Sequence, residues 1–541
     1  MKRTYISIFV IGFALVLTSC EDFLNINEDP NNPVEAPLGG LLTNSEVTMT
    51  GVLGMQGLGG YTTHFVSQLV SRGTLSDYGI GGQDFNVTSG WTNIYASTLA
   101  DLNALENQAR AAEAFNSLGI AQILKAYTYS SLVDLFGDVP YTEANLGALN
   151  TAPKYDDDAA VYDSCLLLLD QAIVNLGKAV TIPLNGDLFY GTGSEARWIQ
   201  VANTLKLRLF TQSRLAGDVS SEVAALISAD NFISDGTNDF ELDYGTNSNP
   251  DNRNPFYVSE YAPAGSAVGI DPFFYEVMSG LNTFFPAEDN PYSNSITGFS
   301  DPRRPYYFYN QINPATDSPE NATAYFDAST GFLSIYKFSF NIDPNEGFDQ
   351  GSSRTVIGLY PGGGRFDNGA GVNANFNGVA VTPQRLVTYY NMLFNRAELA
   401  LAGVTSEDPR VLFEDGVRAA FDKVNQYASG FAPAIAQATI DGYVADALGL
   451  WDDAANDQLE ILMIEKWKAN FGGGIVSYND YRRTGFPRLH DGDTDDGPRS
   501  QFTDRQRDYP TALAWSTAEL GLNPNSPSQK IPQTYKVFWD N

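Results

Sequence analysis

The sequence predicts a mainly α-helical fold, in which tetratricopeptide-like helix pairs form a scaffold and a loop-rich second region packs on it. Three observations predict this. Several long stretches repeat apolar residues at the spacing of one helix face. Those stretches end in glycine and proline stop signals. Between them, residues 236–380 lose the helical period and fill with Asn, Gly, Pro, Ser and aromatic residues.

The elements follow in order. Lys2 and Arg3 precede an uncharged apolar run from Tyr5 to Leu17. That run is too short for a comfortable membrane span and reads as the apolar part of a secretory leader. It ends in Leu17-Thr18-Ser19-Cys20, which resembles a bacterial lipobox. Small residues ahead of the cysteine fit a lipoprotein signal peptidase, and the Cys20 thiol takes the diacylglycerol. Residues 1–19 are therefore read as a signal peptide, Cys20 as the lipidation site and residues 20–45 as an extended tether. Within the tether, Glu28-Asp29-Pro30-Asn31-Asn32-Pro33 is a run of turn formers that disfavours helix.

Helical period becomes legible from about Ala96, and Ile120, Ile123, Leu124 and Tyr127 share one face. This helix is expected to stop at Gly137, which suits a left-handed cap, with Pro140 blocking continuation. Further helices are expected over residues 158–176, 195–215, 384–402 and 454–470. Their apolar faces carry Val161, Leu168, Leu169 and Ala172; Trp198, Val201, Leu205 and Leu209; Leu386, Tyr389, Leu393 and Ala397; and Leu459, Leu462 and Trp467. Such faces need partners, so the helices should pack in pairs. The classical repeat consensus is absent. The parts are residues 46–235 (N-terminal helical), 236–380 (loop-rich) and 381–541 (C-terminal helical and irregular), forming one unit. Beyond the leader, no segment reads as a membrane span.

Charge and cysteines narrow the function classes. With 32 basic and 64 acidic residues the chain has a net charge of −32, which repels nucleic acid and anionic lipid. Neutral ligands are indifferent to it. Besides Cys20 there is only Cys165, set in a run of leucines, so it reads as a buried small hydrophobe and no disulfide is expected.

The search for chemistry returns little. The two histidines, His64 and His490, are far apart, and no metal ligand set is expected. The glycine triplets 362–364 and 472–474 lack the Lys-Ser/Thr of a P-loop. The acidic run 491–497 is the nearest approach to a calcium loop. Asp496 and Phe502 stand where that pattern wants Gly and Glu, so it reads as a solvated loop, and no cofactor is expected. No carboxylate pair stands out for glycoside hydrolysis, so no catalytic residue is assigned.

Several segments together resemble the SusD/RagB family, and its SusD-like branch in particular. They include Leu24-Asn25-Ile26-Asn27-Glu28-Asp29-Pro30-Asn31, Trp91-Thr92-Asn93-Ile94-Tyr95, Phe136-Gly137-Asp138-Val139-Pro140-Tyr141 and the helix from Trp198 to Arg208. Asp301-Pro302-Arg303, Arg396-Ala397-Glu398, Glu465-Lys466-Trp467, Asp480-Tyr481-Arg482-Arg483 and Val537-Phe538-Trp539-Asp540 follow in order. Two places depart from the family pattern, Asn391 and the Glu465 that replaces a glutamine. The resemblance implies a non-catalytic, lipid-anchored outer-membrane protein facing the outside, which captures glycans and passes them to a SusC-like TonB-dependent transporter. A lid of the same type for peptides or another nutrient is the alternative, and a surface glycoside hydrolase is the remote one. Trp198, Asn203, Arg208, Arg482 and Arg483 are read as structural ties rather than ligand contacts.

A sugar ring presents apolar C–H faces and a rim of hydroxyls, so a binder needs an aromatic platform edged by polar side chains on loops. Aromatic residues among Gly and Asn in non-helical stretches meet that description. The candidate ligand-binding residues are Tyr78, Gln83, Asp84, Phe85 and Asn86, joined by Tyr292 or Phe299.

Overall fold

The computed structural model describes residues 36–71, 85–261, 268–281, 299–316, 324–335, 353–375, 377–489 and 510–540. Helix starts well before Ala96. Helices α1 (Leu38–Leu53) and α2 (Leu58–Phe65) come first, so α1 already occupies residues expected in the tether. Helix α3 (Phe85–Asn93) passes through a π-helical turn into α4 (Leu99–Ala111). Then come α5 (Phe115–Phe136), α6 (Asp158–Leu176), α7 (Glu195–Ser213) and α8 (Ser220–Ala229). After the strand-bearing region, which holds α9 (Pro272–Ser279), lie α10 (Tyr389–Leu401), α11 (Pro409–Ala428), α12 (Gln437–Asp452), α13 (Gln458–Ala469) and α14 (Gly474–Thr484).

The helices pack in neighbouring pairs, as the periodicity predicts. In the α5–α6 pair, Gln122 Nε2 donates to Gln171 Oε1 at 3.1 Å near one end, and Tyr162 OH donates to Asp134 Oδ1 at 3.3 Å near the other. That crossing order makes the pair antiparallel. Asp157 caps α6 by accepting from Ala160 N, and Asp408 and Pro409 start α11 in the same way.

Four expectations need correcting. Helix α5 is buried on nearly every side rather than on one face, because α4, α6, α14 and the C-terminal segment all cover it. Its last residue, Phe136, is followed by Gly137 at φ 70°, ψ −124°, which is a positive φ but not a left-handed helical cap. A Cβ there would lie 2.4 Å from the Tyr535 ring, so close approach rather than capping requires the glycine. Residues 384–387 form a strand instead of the first turn of α10, because Arg385 is drawn inward to Tyr390 OH and to the carbonyls of Ala469 and Phe471. Finally, α6 is long and apolar enough to cross a membrane by length and composition, but Val161, Cys165, Leu169 and Ala172 bury one of its faces in the body.

Strands are short and paired antiparallel. Here β1 (Leu69–Ser71) pairs with β3 (Val268–Ile270), and β2 (Phe240–Leu242) with β8 (Gln384–Val387). Likewise β4 (Phe308–Tyr309) pairs with β7 (Val356–Ile357), and β5 (Ala324–Asp327) with β6 (Phe332–Ile335). They hold the loop-rich region against the helices through an aromatic core. Phe274 meets both Trp467 and Phe471 with centroids 4.8 Å apart. Full burial of such side chains contributes roughly 1.5–3 kcal/mol each.

Distant parts of the chain are also joined by polar ties. Trp467 Nε1 donates to Val66 O at 3.0 Å, and Gln68 Nε2 donates to Trp467 O at 2.7 Å. The C-terminal segment straps the end of α5: Leu513 N donates to Leu135 O at 2.7 Å, and Trp515 Nε1 to Asp138 O at 3.0 Å.

Candidate functional site

The residues of the family-like motifs lie in the interior. Trp198 is fully buried, and its Nε1 donates to Asp187 Oδ2 at 2.9 Å. Arg208 stands 3.9 Å from the buried Asp134. Arg303 donates to Asp301 at 2.9 and 2.6 Å and to Glu465 at 3.1 Å, with Lys468 3.1 Å from Glu465. Arg483 donates to both oxygens of Glu398 at 2.9 and 2.7 Å and to Asp480 at 2.7 Å. Burial pushes the Glu398 carboxyl up, but Arg483, Lys466 and Arg214 outweigh it and hold the group down at about 2. These networks tie helices together, and their charged groups are buried and spent on one another, so they are structural.

The opening nearest the expected platform is a cleft of about 780 Å³. Helix α1 contributes Thr48, Val52 and the following Met55, while α2 contributes Tyr61 and His64. The turn between these helices is tight, for a Cβ on Gly57 would lie 2.0 Å from Val52 O. Ser71 and Val268, paired across β1 and β3, form one edge. Ser89, Gly90 and Asn93 of α3 form another, and Phe256, Ser259 and Glu260 close the wall.

Of the sequence-predicted residues, Tyr78, Gln83, Asp84 and Tyr292 lie outside the described residues. The described residues nearest to them in sequence, Ser71 and those of α3, line the cleft. Phe85 and Asn86 open α3 one turn before Ser89 and Gly90. Phe299 does not fit a platform. It is 4% exposed and stacks on Tyr443 with centroids 4.7 Å apart, so its face is spent in the core.

The cleft lining is almost uncharged. Glu260 is its only carboxylate among the described lining residues, and no Lys or Arg faces it. Arg354 stands 3.0 Å behind Glu260. Burial pushes the Glu260 carboxyl up to about 7, with Arg354 pulling the other way. His64 Nδ1 lies 2.7 Å from Gly60 O. Hydroxyls and amides thus alternate with the apolar surfaces of Met55, Tyr61 and Phe256, the mixture that suits a neutral polyhydroxy ligand. Sequence reasoning missed His64, Glu260 and Ser89, because they are single polar residues in helices and no local motif marks them.

Among the described residues, one carboxylate trio has the spacing of a cation site, Asp138, Asp157 and Asp158. Its oxygens already accept from the backbone N–H groups of Asp158, Ala160, Ala159 and Phe538. They serve as caps for α6 and clasps for the C-terminal segment. The acidic run 491–497, weighed as a calcium loop, lies outside the described residues.

Fold and sequence together define the class. The family described as "starch-binding associating with outer membrane", the SusD-like family, matches residues 30–510, and the chain belongs to it. Solved structures agree in fold. A chitin-binding protein is 21% identical with a TM-score of 0.67, covering 93% of this chain and all of its own. A SusD homolog from Bacteroides fragilis is 18% identical with a TM-score of 0.65, over 93% of this chain and 99% of its own. A SusD/RagB family protein from Bacteroides thetaiotaomicron is 17% identical with a TM-score of 0.67, over the same shares. No curated protein matches the chain.

Proposed function

We propose that the chain is a surface lipoprotein that binds a neutral glycan in the cleft between α1, α2, α3 and β3 and delivers it to a SusC-like TonB-dependent transporter. The observation that carries this reading is the cleft itself: a large opening in a SusD-like fold whose lining holds hydroxyls, amides and apolar surface with one carboxylate. Glycosidic hydrolysis by the usual route needs two carboxyls flanking one bond. The binding role asks for none. Its charge of −32 leaves such a protein indifferent to neutral sugars. Acyl chains on Cys20 would supply the anchor, and several chains hold firmly where one does not.

The test is calorimetry on a form beginning after Cys20, titrated with maltohexaose, cellohexaose and chitohexaose. The chitin-binding protein of like fold motivates the last probe. Binding of at least one oligosaccharide, weakened at least tenfold by Ser89→Trp with unchanged circular dichroism, supports the reading. Affinity for peptides with none for glycans would replace it with the peptide-carrying lid. In cells, Cys20→Ser should release the protein from the membrane fraction, and persistence there would remove the lipid anchor.

A further inference from the structure

A second opening of about 330 Å³ sits apart from the cleft, at the small end of the size range of small-molecule sites. It is lined by Arg304, Asn310, Asn313 and Asp367, with Ser329 and Thr330 from the β5–β6 turn at its rim. Its position relative to the cleft follows from the β5–β6 hairpin. The open end of the hairpin is at Ile335, which packs on Val70 beside the cleft edge. The turn end, beyond the four paired residues of each strand, carries Ser329 and Thr330. Three steps of 3.3 Å from Ile335 to Phe332 put about 10 Å of strand between the two openings.

The polar groups of this pocket are fixed by the protein rather than by chance rotamers. Asp367 accepts from Gly369 N at 2.8 Å and from Asn310 N at 3.2 Å. Asn310 Nδ2 donates to Thr330 O at 3.2 Å, and Thr355 Oγ1 donates to Asn310 Oδ1 at 2.7 Å. Arg304 Nη1 donates to Ser279 Oγ at 3.1 Å, which steadies the guanidinium at the wall. Asn313 spends its Oδ1 on Ala315 N at 3.0 Å, leaving its amide N–H groups for the pocket side. The wall therefore holds the donors of Arg304 and Asn313 together with the acceptor Asp367. Donors and an acceptor in one small pocket match vicinal hydroxyls, each of which both donates and accepts. Arg304 and Asp367 cancel in charge, so a carboxylated sugar gains nothing over a neutral one.

We infer that this pocket is a second, independent subsite for one or two neutral pyranose units. This deepens the glycan-binding reading and rests on it. Two separate shallow sites would hold a long chain better than either alone, because the second contact becomes intramolecular.

The experiment compares wild type with Ser329→Trp, which fills the pocket mouth from an exposed turn, and Ser89→Trp, which fills the cleft. Asn313→Ala removes the pocket's amide without adding bulk. The probes are maltotriose, cellotriose and chitotriose with the corresponding hexasaccharides. Two trisaccharides per chain in wild type, one in Ser329→Trp and one in Ser89→Trp, is the expected result. For the hexasaccharide, Asn313→Ala should weaken binding by about tenfold. One trisaccharide per wild-type chain, with no change in Ser329→Trp or Asn313→Ala, would overturn the subsite while leaving the cleft reading intact. Loss of all binding in Ser329→Trp with none lost in Ser89→Trp would keep this pocket and overturn the cleft. No binding of any probe to wild type overturns both.

Discussion

Arg303→Met is the sharpest probe of what holds the two halves together. Arg303 is fully buried and sits between Asp301 and Glu465, which it engages at 2.9, 2.6 and 3.1 Å. Tyr443 OH lies 2.9 and 2.6 Å from the same two carboxylates with one proton to share between them, and Lys468 stands 3.1 Å from Glu465. Removing the guanidinium leaves two buried carboxylates facing one ammonium, so one negative charge is uncompensated. Breaking a buried pair from one side costs about 3–5 kcal/mol. Unfolding entropy of about 2 cal/mol/K per residue makes roughly 1 kcal/mol per degree for a chain of this length. The expected fall in Tm is therefore about 3–5 °C by scanning fluorimetry. The control is Arg410→Met, whose partner Asp452 is 2.8 Å away on the surface with both side chains around half exposed. That variant should scan within the scatter of wild type. Equal Tm for the two variants would refute the claim that burial, rather than pairing, sets the penalty.

Other outcomes follow from the same physics. Glu398 is held at about 2 against an ordinary value of 4.5, so its stabilising contribution is complete above pH 4.5 and lost as pH falls toward about 2. Glu398→Gln should flatten that acid limb in urea titrations across pH, while lowering stability at neutral pH. Glu260 has the opposite sign: raised to about 7, it contributes fully below 4.5 and declines as pH rises through about 7. Glu260→Gln should remove that decline, read as a smaller difference in urea midpoint between pH 5 and pH 8. Cys165 is fully buried and its thiol is pushed far up by burial, so a thiol reagent should label it only after unfolding. Gly137→Ala combines φ 70° with a ring 2.4 Å from the new Cβ, and should lower stability by about 2 kcal/mol or more in denaturant titration.

The helices were largely legible because their faces are periodic. Residues 158–176 were placed with both ends correct, since Asp157 caps one end and Gly177 follows the other. Helix α5 was found but its surroundings were not. A helix buried all round loses the periodicity that reports its partners, and only Ile120, Ile123, Leu124 and Tyr127 stood out. Helices α1 and α2 were not singled out because Gly51, Gly54, Gly57, Gly59 and Gly60 interrupt the apolar period there, whereas each lets one backbone approach another or costs little on an outer face. The site was legible only as a neighbourhood. Composition pointed to residues that lie mostly outside the described part, and Phe299 was drawn into the core by Tyr443, a partner 144 residues away in the sequence. Pocket-lining residues such as Arg304, Asn313 and Asp367 come from separate segments, and nothing local announces their meeting.

The strap that closes over α5 sets an order of events. Leu135 and Asp138 receive their hydrogen bonds from Leu513 and Trp515, and Asp134 receives one from Trp539. The end of α5 is therefore sealed by residues that lie far later in the sequence. Contacts of such long sequence separation form slowly. A chain with this topology is therefore expected to seal the end of α5 late in folding.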